Sequence, residues 1–262
     1  MRGWRALVLA GARGPEDAVA RAAGVAHKAF APVAGRPMIA HVLDALGAVA
    51  EIQEVAVSIA PDAPDLPAGV LRLDAGPGPA ASTLAAFDRL GPPLLVATAD
   101  HPLLTPAMVA DVLAAARTAD AVAAVSPRAA VERTRPGGRR TFIRLADGAV
   151  SGANLFALST PRARGAVAFW QHLEAERKHP WRMARRIGPR ALLAYLAGRL
   201  DSAGAARALG RAAGCSAAFA VLAHDDAAHD VDRPEDIAFA EARLAARARE
   251  GHDGSPAPPH GH

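Results

Sequence analysis

The chain has 262 residues and 51% hydrophobic content, enough for one large domain or for a domain with an accessory piece. No apolar stretch reaches the roughly 18 residues of a membrane span, and the single cysteine, Cys215, excludes an internal disulfide and fits a reducing cytoplasm. The net charge is only +4, and the basic segments carry no motif or aromatic interleaving typical of a nucleic-acid surface. We therefore expect a cytoplasmic protein that does not bind nucleic acid.

The first predicted strand covers the apolar run at 6–10 and ends abruptly at Gly11. Small residues and an arginine follow, in the sequence LAGARG at 9–14. A strand that ends in this way presents backbone N–H groups and a cation to a phosphate. Lys28 lies beyond this loop and is one of only two lysines among 30 basic residues. It indicates a position that needs a compact ammonium, the alternative being a surface lysine retained by chance.

Strands and helices then alternate along the chain. Pro37 suits the first position of a helix, and Thr105 is predicted to cap another. This alternation predicts a Rossmann-like, three-layer α/β/α fold with a mostly parallel central sheet, whose functional residues lie at the carboxyl ends of the strands. The predicted elements are helices over 37–47 and 80–90 and strands over 52–59, 70–73, 94–99 and 121–126.

The second half of the chain changes character. Residues 127–140 are rich in Arg, Pro and Gly and are predicted to form a mobile loop. We expect a single domain over 1–249 with a helical insertion at 161–214, and a disordered, low-complexity tail over 250–262. Further strands are predicted over 141–145, 153–158 and 217–223, and a last helix over 234–249.

Two acidic motifs lie where such a fold places ligands. Asp100 follows a buried strand and is suited to holding a divalent cation, the alternative being a cap for the next helix. Asp230 and Asp232 alternate along a short extended segment, so both point to one side. Glu235 and Asp236 suit the first turn of the helix that follows. Mg²⁺ takes oxygen ligands, usually one or two carboxylates plus phosphate oxygens, and is the cation we expect.

These motifs together resemble the nucleotidyltransferases with a glycosyltransferase-A-like fold. That family includes sugar-phosphate nucleotidyltransferases, the methylerythritol-phosphate cytidylyltransferase and the molybdenum cofactor nucleotidyltransferases. The chain departs from the family pattern in having fewer glycines in the first loop and His27 where a proline usually precedes the lysine. The matching sequences are LAGAR at 9–13, HKAFAPVAGRPMIAHVLDAL at 27–46, ADHPLLTPAMV at 99–109 and HDVDRPEDIAFAEARL at 229–244.

The resemblance implies that an NTP, with CTP or GTP favoured, transfers its nucleotidyl group to a phosphorylated acceptor and releases pyrophosphate. Arg13 and Lys28 would be the catalytic cations, Asp100 and Asp232 would hold Mg²⁺, and Asn154 would contact the acceptor. The acceptor could be a phosphosugar, a phosphopolyol or a molybdopterin, and the insertion at 161–214 would shape its site. The implied nucleotide-binding residues are Leu9, Ala10, Gly11, Ala12, Gly76 and Ser82.

Three alternatives stay open on the sequence alone. A glycosyltransferase with a nucleotide-sugar donor could use the Asp-x-Asp at 230–232, and a non-catalytic regulator could retain only nucleotide binding. The basic segments at 127–144 and 162–190 could bind substrate or, with Trp170 and Trp181, touch an anionic membrane peripherally; solvated helical faces are the other interpretation. The sequence does not predict the oligomeric state.

Overall fold

The computed structural model describes residues 3–11, 17–138, 140–176 and 186–253. The strands are β1 (Trp4–Leu9), β2 (Pro32–Val33), β3 (Arg36–Pro37), β4 (Ile52–Ile59), β5 (Val70–Asp74), β6 (Leu94–Thr98), β7 (Ala121–Pro127), β8 (Ile143–Leu145), β9 (Gly148–Leu158) and β10 (Ala217–Val221). The helices are α1 (Ala18–Ala22), α2 (Met38–Gly47), α3 (Pro79–Leu90), α4 (Pro106–Ala115), α5 (Arg128–Thr134), α6 (Ala163–Ala175), α7 (Pro189–Leu196), α8 (Ser202–Ala213) and α9 (Pro234–Asp253).

The central sheet is mixed and mostly parallel, with strand order β10-β7-β9-β6-β1-β4-β5 and β8 paired to β9. Strand β9 runs antiparallel to both β6 and β7, whereas β1, β4, β5 and β6 pair in parallel. The predicted α/β fold with a mostly parallel sheet is confirmed. Its topology brings the carboxyl ends of β1, β5, β6 and β7 to one edge, where loops can gather functional residues.

Apolar side chains cover both faces of the sheet, as expected for parallel strands between helical layers. Val8 and Leu95 face the layer that contains α2 and α4, while Leu7 and Val96 face the layer that contains α3 and α6. A third cluster joins α9 to the β2–β3 hairpin and includes Val231, which lies between the two late aspartates. None of the helices in the described ranges combines the length and apolar character needed to cross a bilayer.

The predicted loop over 127–140 is wrong for the first half of the segment. Residues Arg128–Thr134 form α5, because Ala130 and Val131 bury their side chains and Pro127 precedes the helix in an extended conformation. Strand β9 begins at Gly148, five residues before the predicted start at 153, because a hairpin pairs it with β8. Helix α9 extends to Asp253, and the rest of the predicted tail lies outside the described residues.

Candidate functional site

Lys28, Asp100 and Asp232 meet at the edge of the sheet formed by the carboxyl ends of the strands. The Nζ atom of Lys28 lies 2.8 Å from Oδ2 of Asp100 and 3.6 Å from Oδ1 of Asp232. The Lys28 side chain is only 14% exposed, which is low for a lysine. Three residues that are far apart in sequence, and to which the resemblance assigned catalytic and metal-binding roles, are thus brought together.

Hydrogen bonds donated by backbone amides fix the segments that carry Asp100 and Asp232 relative to each other. Asp100 lies two residues beyond β6, and its carbonyl oxygen accepts a hydrogen bond from the Val231 amide at 2.8 Å. Asp236 Oδ2 accepts hydrogen bonds from the amides of Asp232 at 3.0 Å and Arg233 at 2.9 Å, which caps α9. The helix cap therefore anchors the segment that carries Asp232 beside the loop that carries Asp100.

Asp100 has the electrostatic character of a cation ligand. Burial of its side chain, which is 24% exposed, would by itself raise the pKa of Asp100. The charge and hydrogen bond of Lys28 outweigh that effect, so the pKa lies below its ordinary value and the group is ionised near neutral pH. Its Oδ1 atom is buried and makes no hydrogen bond of good geometry within the described ranges, although the Thr98 hydroxyl contributes to lowering the pKa. Asp100 therefore offers a charged, buried oxygen that protein donors hold only weakly.

A second group of polar side chains surrounds Asp230. Nδ2 of Asn154 donates to Oδ2 of Asp230 at 3.1 Å, and Nη1 of Arg140 lies 2.5 Å from Oδ1 of the same carboxylate. Arg140 also donates to Ser151 Oγ on β9. The two aspartates of the Asp-x-Asp therefore have different partners: Asp230 orders Asn154 and Arg140, while Asp232 faces Lys28.

Asn154 adopts a backbone conformation that few residues tolerate. Its φ angle is 50°, and the pairing between β7 and β9 is irregular around it, between Ala123 and Val125. Asparagine enters this left-handed region more readily than most residues, and strained positions of this kind cluster at functional sites. The irregularity aims the Asn154 amide at Asp230.

The first loop begins where the sequence predicted. The Leu9 carbonyl accepts from the Ala99 amide at 3.0 Å, and the Ala10 amide donates to the Ser58 carbonyl at 2.9 Å, so both residues are held in the sheet. Gly11 is exposed immediately beyond them. The predicted nucleotide contact Ala12 and the predicted catalytic residue Arg13 lie outside the described residues.

Gly76 and Ser82 shape the loop before α3. The Gly76 amide donates to Ser82 Oγ at 2.9 Å, and a Cβ at residue 76 would approach the Ser82 amide nitrogen to 3.0 Å. Ser82 is buried. Its hydroxyl therefore holds the loop in place, and glycine at 76 permits the close approach.

The basic segments contribute many internal ion pairs. Trp170 packs against Phe156 with 5.2 Å between ring centroids, so it is not displayed as a membrane anchor, and Trp181 lies outside the described residues. These contacts favour a structural interpretation for the arginines concerned. The paired residues are Arg133 with Asp225, Arg135 with Asp236, Arg140 with Asp230, Arg164 with Asp88, and Arg186 with Glu176.

A buried carboxylate behind the site was not identified from the sequence. Asp226 is 3% exposed and accepts hydrogen bonds from Arg243 and Arg247 of α9. The Asp226 carbonyl oxygen lies 3.1 Å from Nε2 of His101. The two arginines tie α9 to the segment that leads into Asp230 and Asp232, and the His101 contact ties that segment to the loop after β6. The sequence held one indication of this pairing: Arg243 and Arg247 are four residues apart and therefore lie on one face of the helix.

His229 should make the fold sensitive to acid. Its ring is buried, lies 4.8 Å from the Phe239 ring, and places Nε2 3.0 Å from Thr134 Oγ1. Burial, followed by the positive charge of Arg140, lowers the pKa of His229 to about 4. The unfolded chain binds this proton near its ordinary pKa of about 6.5, so protonation favours the unfolded state as pH falls from about 6.5 to about 4.

We expect the free energy of unfolding to fall by about 3 kcal/mol over that interval through His229 alone. Above pH 7 the ring is neutral in both states, and this loss does not occur. Urea unfolding at several pH values measures the slope. His229→Gln retains a hydrogen-bonding side chain for Thr134 and should reduce the slope of unfolding free energy against pH. An unchanged slope in this variant would contradict the role assigned to His229. Burial also lowers the pKa of His101, which contributes dependence of the same sign.

The chain resembles known nucleotidyltransferases in sequence and fold. A family model for the MobA-like NTP transferase domain matches residues 6–215, a range that includes Lys28, Asp100 and Asn154 and ends before Asp232. A solved structure described as a hypothetical transferase from Thermus thermophilus is 35% identical, with a TM-score of 0.76, and the match covers 90% of this chain and 100% of that one.

Two more distant structures share the fold alone. The 2-C-methyl-D-erythritol 4-phosphate cytidylyltransferase from Thermus thermophilus is 20% identical, with a TM-score of 0.54 and coverage of 94% of this chain and 100% of that one. A CMP:2-keto-3-deoxy-manno-octonic acid synthetase complexed with CTP is 14% identical, with a TM-score of 0.52 and coverage of 94% and 98%. The comparison with curated proteins found no match.

Proposed function

Because the chain belongs to the MobA-like NTP transferase family and is a nucleotidyltransferase, we propose that it transfers an NMP group from CTP or GTP to a phosphorylated acceptor. The proposed acceptors are a phosphosugar, a phosphopolyol or a molybdopterin-like compound. The observation that carries the proposal is the Lys28 ammonium, shared by Asp100 and Asp232 at the carboxyl edge of the sheet. The CTP bound to one relative of the same fold supports including CTP.

The proposed reaction requires no protein nucleophile. An oxygen of the acceptor phosphate attacks the α-phosphorus of the NTP and forms a new P–O bond. The bond from that phosphorus to the oxygen bridging the β-phosphate breaks, and pyrophosphate leaves with that oxygen. Positioning and charge neutralisation then supply most of the rate enhancement. Lys28 would neutralise the triphosphate, with Arg13 as the second proposed cation and Asn154 orienting the acceptor.

Asp100 and Asp232 fit a divalent cation. Both offer hard carboxylate oxygens, and the buried Oδ1 of Asp100 makes no hydrogen bond of good geometry within the described ranges. No cluster of three or more His, Cys, Asp or Glu side chains suited to a metal occurs among those residues. Two carboxylates are nevertheless sufficient for Mg²⁺, because phosphate oxygens and water complete its shell. When bound, Mg²⁺ would withdraw charge from the phosphoryl oxygens.

Two contacts disfavour the alternative functions. A glycosyltransferase would need both carboxylates of the Asp-x-Asp for one donor site, but Asp230 is occupied by Asn154 and Arg140. A regulator without catalysis would be favoured if Asp100 and Asp232 could not reach a common cation. Both face one ammonium, which supports the catalytic proposal.

Peripheral contact with an anionic membrane and a cytoplasmic location also stay proposals. Helix α7 supports the first, since Leu193 is 65% exposed and Leu196 is 71% exposed, with the basic residues Arg190 and Arg199 at the two ends of the segment. Cosedimentation with anionic and with neutral vesicles would test it. Equal recovery in the supernatant with both would end this proposal.

Pyrophosphate release tests the proposed reaction directly. Each of CTP, GTP, UTP and ATP would be incubated with Mg²⁺ and a panel of phosphorylated acceptors, with acceptor-free and chelator-treated samples as controls. We expect release with one nucleotide, dependent on both acceptor and metal. Consumption of a nucleotide-sugar donor without pyrophosphate release from any NTP would instead identify a glycosyltransferase.

A further inference from the structure

A large apolar cavity lies between the sheet and helices α6 and α8. Its volume is about 370 Å³, within the usual range for small-molecule pockets. Strands β7, β9 and β10 form its floor, and the helices form its walls. Aromatic side chains define much of its surface, including Phe156, Phe169, Trp170 and Phe219.

Two features explain why the cavity is not filled: small side chains line it, and glycines let the backbones of the helices and of the segment before β10 contact each other closely at one end. Alanines line it where larger residues would fill it, among them Ala123 on β7 and Ala206 on α8. At the far end of α8, a Cβ on Gly210 would come within 2.6 Å of the Cys215 carbonyl oxygen, and one on Gly165 would collide with the Ala213 carbonyl. These backbone contacts pin α6, α8 and β10 together. The helices are therefore already in tight contact at one end, and the cavity persists beside that contact.

The cavity adjoins the candidate site. Asn154, the predicted acceptor contact, forms part of its wall, and the amide of Asn154 is bonded to Asp230 beside Arg140. Thr83 from α3 is a second polar wall residue. The cavity thus reaches the polar group around Asp230 through Asn154, and it extends into the segment proposed to shape the acceptor site.

The side chains that line the cavity favour an apolar ligand over a polar one. The Thr83 hydroxyl already donates to the Pro79 carbonyl at 2.8 Å, and the Asn154 amide to Asp230. A sugar or pterin ring placed inside would bury hydroxyl or amide groups with few partners, at a cost of roughly 1–3 kcal/mol for each unpaired group. An aliphatic chain needs no partners and gains from contact with the aromatic rings.

We propose that the cavity binds an alkyl or prenyl chain of the acceptor, so that the acceptor is a phosphorylated amphiphile. This inference rests on the proposed nucleotidyl transfer to a phosphorylated acceptor, and it names an acceptor class different from the three compounds proposed above. The phosphate would remain at the polar end beside Asn154, and the chain would enter between α6 and α8. A phosphosugar would leave the cavity unfilled.

Decyl phosphate is a suitable probe, with glycerol 3-phosphate as the matched phosphate that lacks a chain. Titration calorimetry and the fluorescence of Trp170, assigned with Trp170→Phe, would report binding to the full-length protein. We expect decyl phosphate to bind at least tenfold more tightly than glycerol 3-phosphate. Ala206→Phe and the milder Ala166→Leu should fill the cavity and weaken decyl phosphate binding by tenfold or more. Ala114→Leu, on the exposed side of α4, is the control variant and should leave decyl phosphate binding unchanged.

Pyrophosphate release with both phosphates separates the two proposals. Binding of decyl phosphate that both cavity-filling variants weaken, with its use as an acceptor, supports the inference. Turnover with glycerol 3-phosphate and no binding of decyl phosphate overturns the inference and leaves the proposed function intact. Decyl phosphate binding without pyrophosphate release from any NTP and acceptor pair overturns the proposed function, and the acceptor assignment with it. Unchanged binding in folded Ala206→Phe and Ala166→Leu proteins also overturns the inference.

Discussion

Lys28→Ala is expected to lower kcat/KM for pyrophosphate release by about 10²–10³-fold, the usual cost of removing one preorganised group that stabilises transition-state charge. The loss follows from the position of the ammonium, which is shielded from solvent and directed at the carboxylates proposed to bind the metal. Without it, a charge on the triphosphate has no compact cation beside it. Steady-state kinetics with the productive nucleotide and acceptor measure the effect.

Lys28→Arg is the matched control for this prediction. It keeps the positive charge, and with it the pairing to Asp100 and Asp232 that supports the fold. A planar guanidinium is larger and more rigidly shaped than an ammonium, so we expect thermal stability to be retained while activity stays below about a tenth of wild type. Wild-type activity in Lys28→Ala would show that this residue is only a structural partner of Asp100.

Asp100→Asn is expected to reduce kcat by about 10³-fold, because a bound metal contributes several kcal/mol of charge stabilisation and each 1.36 kcal/mol is a factor of ten. The substitution removes a carboxylate that Lys28 keeps ionised and whose buried Oδ1 makes no hydrogen bond of good geometry among the described residues. The Mg²⁺ concentration needed for half-maximal activity should rise. A Mg²⁺ titration of initial rates measures both quantities.

Asp230→Asn and Asp232→Asn distinguish metal binding from a general loss of negative charge. Asp232→Asn should weaken the Mg²⁺ response in the same direction as Asp100→Asn, since Asp232 faces the same ammonium. Asp230→Asn removes an equal charge only two residues away, from a carboxylate engaged by Asn154 and Arg140. We expect its main effect on the KM of the acceptor. Equal Mg²⁺ responses in all three variants would contradict the assignment.

Local chemistry made the parallel core of this fold predictable. The elements up to residue 126 were predictable because the spacing of apolar residues and the local composition change sharply at each boundary. The apolar run that ends at Gly11 is one example. Thr105 illustrates this at one residue: its side chain caps α4 by accepting from the Met108 amide, with Pro106 next. The family resemblance implied the roles of Lys28, Asp100 and Asp232, whereas the rule that parallel strands end at one edge indicated only where Asp100 would lie.

The less predictable features depend on tertiary contacts. Residues 128–134 contain neither Gly nor Pro, and the loop prediction came from the Pro-Gly-Gly at 136–138. Helix-forming residues there, and burial of Ala130 and Val131, produce a helix instead. Arg140 lies at the end of the same predicted loop, and nothing local indicates that it would reach Asp230. The clamp of Arg243 and Arg247 on Asp226 is likewise a long-range contact. Such contacts are set by packing between distant segments, which no local pattern encodes.

The central claim is that Asp100, Asp232 and Lys28 form one site for a metal and the phosphates of an NTP. A crystal structure with Mn²⁺ and the nucleotide that supports turnover, recorded at a wavelength sensitive to manganese, tests it most directly. We predict an anomalous peak bonded to carboxylate oxygens of Asp100 and Asp232, with Lys28 Nζ in contact with a phosphate oxygen. Manganese and nucleotide bound elsewhere, with Lys28 still paired to Asp100, would contradict the account.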